Sequence, residues 1–246
     1  MLRHGLRAVL TAAMIFGLGC AESEPERATP KPVGKAAAPA AAEGKRVPIA
    51  DHLTLEIFPD RRRVLVEAEV CLREGPLEQL LTRKGRKEHE AVLAADVDAR
   101  KIHEALLLAR AKEGTPVRWL PTFRAPTGST IKVTLVYDDK GTKKSVSGRS
   151  WVKNRKSGKE LESDWVFAGS MLIENPFDKT APKHYLANDG DVICLSNFEG
   201  AMLDLPMKSS KDDADRSYEC WTERIPPTGT RVTVILEPVE EKKSDK

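Results

Sequence analysis

The sequence predicts an α+β domain: a mainly antiparallel sheet with one principal helix packed on it. Three observations carry that expectation. Val64, Val66, Ala68, Val70 and Leu72 alternate with Leu65, Glu67, Glu69, Cys71 and Arg73, the period-2 pattern of a strand with one buried face. Ile131, Val133, Leu135 and Tyr137, and later Val232, Val234 and Leu236, repeat the alternation far down the chain. Helical spacing is clear in one stretch, where Ile102, Ala105, Leu106 and Ala109 fall at i, i+3, i+4 and i+7. Such an apolar stripe needs a sheet to cover.

The remaining elements follow in order. Residues 52–58 form a first segment before a turn at Pro59-Asp60, and a short apolar piece, 77–81, follows Gly75-Pro76. A basic turn at 83–87 leads into 88–95, read as a further strand. Asp98 or Asp96 can cap the free amides at the start of the helix. Leu108 widens its stripe, and Gly114 and Pro116 supply a stop. Asp138-Asp139-Lys140-Gly141 is a hairpin turn into a strand over 144–153, and a turn at 154–158 precedes a strand at Trp165-Val166-Phe167-Ala168. Residues 191–198 and 230–236 complete the sheet, and 239–246 read as a frayed tail. With no internal repeat and no proline-rich break after Pro48, residues 47–238 are expected to be a single domain.

The N-terminus has the layout of an export signal. Arg3 and Arg7 precede an uncharged run from residue 8 to Gly19, which is shorter than the roughly 20 residues a membrane span needs. Residues 1–19 are therefore expected to be a signal peptide. The run ends Gly17-Leu18-Gly19-Cys20, similar to the lipobox of bacterial lipoproteins, in which the cysteine is acylated and becomes the mature N-terminus. Gly17 departs from the usual larger aliphatic residue, and plain secretion is the alternative. Ala21 after the cysteine, by the same resemblance, favours an outer-membrane or surface destination. Residues 20–46 hold eight Ala and four Pro among charged residues, with no aromatic. Such a stretch buries too little apolar surface to offset the entropy of ordering it and reads as a disordered tether.

That division reassigns the charge. The 246 residues carry 40 Lys and Arg against 37 Asp and Glu, a formal +3. Arg3 and Arg7 leave with the signal, the tether holds five basic and four acidic residues, and the rest of the chain balances at zero. No net basic field remains to attract nucleic acid. The expected partners are a membrane, through the lipid anchor, and an envelope protein or glycan.

Candidate chemistry is sparse. Glu88, His89 and Glu90, with His103 and His184 further on, could be imagined around a transition metal. On a strand, though, His89 points away from both carboxylates, and the simpler expectation is a structural histidine and no cofactor. Ser170, His89 or His184, and Asp204 could meet as a hydrolytic trio only through the fold; Gly169-Ser170 lacks the nucleophile elbow and Ser209-Ser210 lacks the S-x-x-K pattern. No phosphate-binding glycine loop is present. Trp119, Trp151, Trp165 and Trp221, with Phe167 and Tyr185, are either a groove lining or core. In an oxidising compartment the three cysteines other than Cys20 allow at most one disulfide. Cys194, in an apolar run, reads as an inert core thiol, which leaves Cys71 and Cys220 as the expected pair.

Lys87-Glu88-His89-Glu90, followed by an apolar strand and the Ile102-His103 helix, resembles the bacterial YdjY-domain proteins, which are exported or lipid-anchored. Trp165 through Ser170, Tyr185 through Asn188 and Leu195-Ser196-Asn197-Phe198 are similar to later blocks of the larger members. The resemblance covers about 47–238 and implies no established activity. The ferredoxin-like label of some members implies clustered cysteine ligands, whereas Cys71, Cys194 and Cys220 lie far apart in this chain. The sequence thus leads to a non-enzymatic binding or interaction domain in the cell envelope, with a metal-binding protein or metal-dependent enzyme at Glu88-His89-Glu90 as the alternative.

Overall fold

The computed structural model describes residues 44–210 and 217–239. The expected signal peptide, Cys20, all but the last three tether residues, and the tail beyond Val239 lie outside the described residues.

Strands β1 (Lys45–Ala50), β2 (Leu53–Ile57) and β3 (Arg62–Val70) form an antiparallel meander. β1 thus begins inside the stretch expected to be tether. After β4 (Pro76–Leu77) and β5 (Gln79–Arg83), a 3-10 turn at Glu88–Glu90 leads into β6 (Ala91–Ala95) and then helix α1 (Ala99–Leu108). The alternating segments become the long β7 (Thr130–Asp139) and β16 (Arg231–Pro238), with Ile131, Val133, Leu135, Val232, Val234 and Leu236 buried and Tyr137 half-buried. β7 turns through Lys140 and Gly141, both at positive φ, into β8 (Thr142–Ser147), as a two-residue hairpin requires. Shorter strands follow: β9 (Val152–Asn154), β10 (Trp165–Phe167), β11 (Leu172–Ile173), β12 (His184–Tyr185), β13 (Ile193–Cys194), β14 (Leu203–Asp204) and β15 (Tyr218–Cys220). The strands expected over 144–153 and 191–198 are therefore each broken, the first by a 3-10 turn at Gly148–Trp151.

The sheet closes on itself. Its order runs β3-β16-β7-β10-β14-β13-β5-β6, and β6 returns to β3 through Glu69↔Ala94 and Val70↔Leu93. Eight strands thus make a ring; β2 and β1 continue outward from β3, and β8 from β7. The pairing is antiparallel except at β5–β6 and β13–β14. Closure pairs every strand of the ring on both sides and confines this sheet's free edges to β1 and β8. Val64, Val66, Val133, Leu135, Val234, Trp165 and Phe167 fill one continuous core. The Trp165 ring is fully buried and donates its Nε1–H to the Cys194 carbonyl at 2.7 Å, which satisfies the indole inside an apolar interior.

Helix α1 packs on β1, β2 and β3 and on a 3-10 turn at Leu186–Asp189. Asp98 is its N-cap, accepting from the Arg100 amide at 2.8 Å. Arg100 holds the Asp98 carboxyl down at about 2. Asn188 adds a second cap by accepting from the Ala99 amide. Ile102, Ala105 and Leu106 are buried as expected, whereas Leu108 is 49% exposed and lies off the stripe. The helix also ends earlier than Gly114. The Ala111 amide bonds the Leu106 carbonyl and the Arg110 amide bonds Leu107, a Schellman closure with Arg110 at φ +69 in the position usually given to glycine.

Candidate functional site

A groove of about 600 Å³ crosses β3, β16 and β7, with charged side chains of both signs along it. Glu67 pairs with His52 at 3.0 Å and Glu69 with Lys84 at 3.1 Å. A second cleft, of about 520 Å³, is different. Trp119 and Phe198 give it aromatic surfaces, Leu120 and Leu186 apolar ones, and Asp189, Asp191 and Glu199 three carboxylates.

Its floor is built from the chain following the Leu186–Asp189 turn. Gly190 sits at φ +124, and a Cβ there would lie 2.8 Å from the Thr82 hydroxyl, so the turn into Asp191 needs glycine on both counts. Asp191 Oδ1 accepts from Lys87 Nζ at 2.8 Å and from Gln79 Nε2 at 3.2 Å. Lys87 also lies over the Phe198 ring, 4.5 Å from its centroid, a favourable cation–π position. Burial alone would lower the pKa of Lys87, but the Asp191 carboxylate outweighs it and raises it. The ammonium is thereby spent on the floor of the cleft.

Behind this floor lies a buried polar network. Asn197 donates Nδ2–H to Asp204 Oδ1 at 2.9 Å and accepts from the Ser209 amide at 2.6 Å. Its backbone carbonyl takes the Trp119 indole N–H at 3.4 Å. Ser196 and Ser210 share a bond at 2.7 Å. Asp204 is fully buried, and desolvation pushes its carboxyl up to about 8. Three buried side-chain atoms among the described residues have no partner: Gln79 Oε1, Thr82 Oγ1 and Asp204 Oδ2. A neutral Asp204 lowers the desolvation cost of that arrangement.

The wall is braced from Gly169 and Ser170, consecutive residues at positive φ. Ser170 Oγ donates to the Gly200 carbonyl at 2.6 Å and accepts from the Ala187 amide at 3.0 Å. Tyr185 donates its hydroxyl to the Gly169 carbonyl at 2.9 Å, which leaves the oxygen to accept from His103 Nδ1 at 2.8 Å. The remaining nitrogen of His103 faces Glu113 at 3.5 Å. Burial holds the His103 pKa below its ordinary value and outweighs that carboxylate.

The residues singled out from sequence are dispersed. Glu88, His89 and Glu90 form a 3-10 turn, not the start of a strand. Glu88 accepts from the Gly85 amide, Glu90 is buried, and the His89 ring stands in solvent beside Glu90 at 3.7 Å. His103 has Tyr185, Phe167 and Glu113 around it instead. Among the described residues no group of three His, Cys, Asp or Glu side chains is placed to hold a metal. The trio of Ser170, histidine and Asp204 does not assemble: Ser170 bonds backbone, His184 pairs with Asp189 at 2.9 Å, and Asp204 is held by Asn197. Trp151, Trp165 and Phe167 are core, while Trp119 lines the cleft. Sequence reading passed over Asp191, Asn197 and Glu199. The signal for the first two was a polar residue set against an apolar run, Asp191 before Val192-Ile193-Cys194-Leu195 and Asn197 after it.

Cys71, Cys194 and Cys220 are all thiols in the structure. Burial pushes Cys71 and Cys220 each up to about 12, and the nearby Cys71 adds to the rise at Cys220. The two segments touch: Cys220 Sγ lies 4.0 Å from the Leu72 carbonyl, and the Cys220 amide bonds Gly75.

No curated protein and no solved structure matches the chain. The YdjY domain model matches residues 56–237, a span that contains the helix, the cleft and all of the ring but its last residue, Pro238. The chain therefore belongs to the YdjY-domain family.

Proposed function

We infer that this protein is a cell-envelope binding domain, exported, fixed to a membrane through an acylated Cys20, and offering the cleft between Trp119, Asp191 and Phe198 to a ligand. One observation carries the binding reading. The cleft has aromatic and carboxylate groups on a floor fixed by buried hydrogen bonds, which is how a preformed recognition site is built. Around it the groups that could act as nucleophile or base are engaged in bracing: Ser170 with Gly200 and Ala187, His103 with Tyr185, His184 with Asp189. A binding role uses this arrangement as it stands.

The export reading rests on residues 1–20 and has its own test. Cys20→Ser is expected to move the protein from the membrane fraction to the soluble fraction and to abolish incorporation of labelled fatty acid. Retention of the variant in the membrane fraction would exclude the lipid anchor.

The same compartment bears on the cysteines. Cys71 and Cys220 are proposed to join there, their two thiols passing two electrons and two protons to a disulfide oxidant, which leaves as the dithiol. With both thiols pushed up to about 12, each is a poor leaving group, so the bridge forms slowly but, once formed, resists exchange. Mass spectrometry of protein from the envelope should show the two cysteines linked, and reduction should lower stability by about 2 to 4 kcal/mol. Quantitative alkylation of both thiols without reduction would refute the bridge.

A further inference from the structure

The binding capacity left open in the cleft is of one kind. Asp191 is 8% exposed and its Oδ1 is occupied, but Oδ2 takes no hydrogen bond from the described residues. Glu199, exposed on the rim, makes no ion pair with any described residue. Asn197 turns both ends of its amide inward, and the Lys87 ammonium is engaged by Asp191 and Phe198. Of the cleft-lining side chains, the groups left to a ligand are therefore mainly acceptors with negative charge; the Lys208 ammonium stands beside them, 5.9 Å from the Trp119 ring centroid. A sugar, whose hydroxyls both give and accept, would leave its own acceptors unmet. An ammonium or guanidinium group supplies donors and positive charge together, and its alkyl stem suits the Trp119, Phe198 and Leu186 surfaces.

The mouth of the cleft adds a second feature. From the wall rises the β11–β12 hairpin, joined to it where the Leu186 amide bonds the Met171 carbonyl at 3.0 Å and where His184 pairs with Asp189. On this hairpin Leu172 is 59% exposed and Phe177 96%, with Met171 and Ile173 also open, and Leu120 of the cleft lining is 77% exposed. Scattered single apolar residues need no explanation, but a group of them on one hairpin tied to a cleft wall marks an interaction surface. A small amine would leave these side chains in water. An anionic lipid surface would meet the carboxylates of the cleft with like charge and gain nothing from the hairpin, which is neutral, Glu174 pairing with Lys183 at 3.2 Å and Asp178 standing next to Lys179 in the chain.

We propose that the cleft and the hairpin form one docking surface for a protein segment that presents a lysine or arginine between apolar residues. The basic side chain enters toward Asp191 and Glu199, and the flanking residues cover Leu120, Leu172 and Phe177. This rests on the cleft being a ligand seat, so the test separates the two ideas.

The probes are fluorescein-labelled peptides with leucine and phenylalanine flanks and a central lysine, arginine, norleucine or glutamate, titrated with the full chain and read by anisotropy. Lysine and arginine peptides should bind at least about tenfold more tightly than the norleucine peptide, with the gap narrowing between about 0.05 M and about 0.5 M salt. Glu199→Gln, a rim change that leaves the buried network alone, and Asp191→Asn should each shrink that gap. Phe177→Ser should weaken lysine and norleucine peptides alike. Equal binding of lysine and norleucine peptides, or a gap unchanged in both carboxylate variants, overturns the proposal. Neutral oligosaccharides and anionic vesicles form the other arms. Binding of either, lost in Asp191→Asn while no peptide binds, overturns the basic-segment proposal and leaves the ligand seat standing. If no probe binds, both are rejected.

Discussion

Between about pH 5 and about pH 8 the domain should lose on the order of 4 kcal/mol of stability that an Asp204→Asn variant keeps. The sign follows from where the proton sits. In the unfolded chain the Asp204 carboxyl titrates at its ordinary value of 3.8; in the native state burial raises it to about 8, with Asp191 adding to the rise against the bonds from Asn197 and Leu205. Between those values the native state holds a proton that the unfolded state has released. Stability therefore falls as pH rises through this window, by roughly 1.4 kcal/mol per pH unit, and levels off above the native value. Asparagine keeps the oxygen that accepts from Asn197 Nδ2 and the Leu205 amide but cannot ionise. Its amide nitrogen is no worse placed than the carboxyl oxygen it replaces, which already lacks a partner. Urea unfolding of both proteins at the two pH values checks this, with the difference between the two losses as the diagnostic quantity. Equal losses would mean that Asp204 does not carry the proton. The same titration bears on the cleft, because Asp204 fixes Asn197, whose carbonyl receives the Trp119 indole.

Much of the fold was legible where one face of a strand is buried and the other is wet. β3, β7 and β16 alternate in sequence because Val66, Val133 and Val234 point inward while Glu67, Lys132 and Thr233 do not. The helix was legible for the parallel reason, a single stripe behind an aspartate cap. Ring closure was not, because it runs through strands with no wet face. β6 is Ala91–Ala95, buried at every position, and β5 and β13 are nearly the same, so period-2 contrast disappears. Glu88–Glu90 was misread for a related reason: one extended apolar run hid a 3-10 turn at its start. The cleft was harder still. Trp119 and Trp165 look alike in sequence, and what separates them is that Trp165 lies on a strand paired with both β7 and β14 whereas Trp119 lies in a loop. Asp191 was visible only as a polar interruption of an apolar run, and Asp204 was read as a possible trio member, not as a buried network residue. Their partners Lys87 and Asn197 come from register, which local pattern does not encode.

Gly114→Ala should cost about 3 kcal/mol, a fall in Tm of roughly 6 to 12 °C for a domain of this size, and the cause differs from the helix stop that its position suggests. Gly114 donates its amide to the Phe167 carbonyl at 2.9 Å, and the opposite chain returns through Thr127, whose carbonyl would lie 2.1 Å from an added Cβ. Gly128 is pressed in the same way, 2.1 Å from the Phe167 carbonyl. Backbones 112–115 and 127–129 thus cross beside β10 with no room for a side chain on either. The ladder there includes Ser129 to Lys112 and Phe167 to Ser129, each at 2.9 Å. Nothing flexible can yield, since the obstacles are backbone atoms. The strain passes into the buried strand that carries Trp165 and, two residues after Phe167, into the Gly169-Ser170 brace of the cleft wall. Gly141 supplies the contrast. It sits at φ +83 in the β7–β8 turn with open space where a Cβ would go, so Gly141→Ala carries only the conformational cost of a left-handed residue, about 1 kcal/mol. Thermal unfolding of the two variants side by side separates a wedge from a dihedral penalty. A loss at Gly114 no larger than that at Gly141 would show that the crossing can open, and the brace on the cleft wall would then have to draw its rigidity from Ser170 and Tyr185 alone.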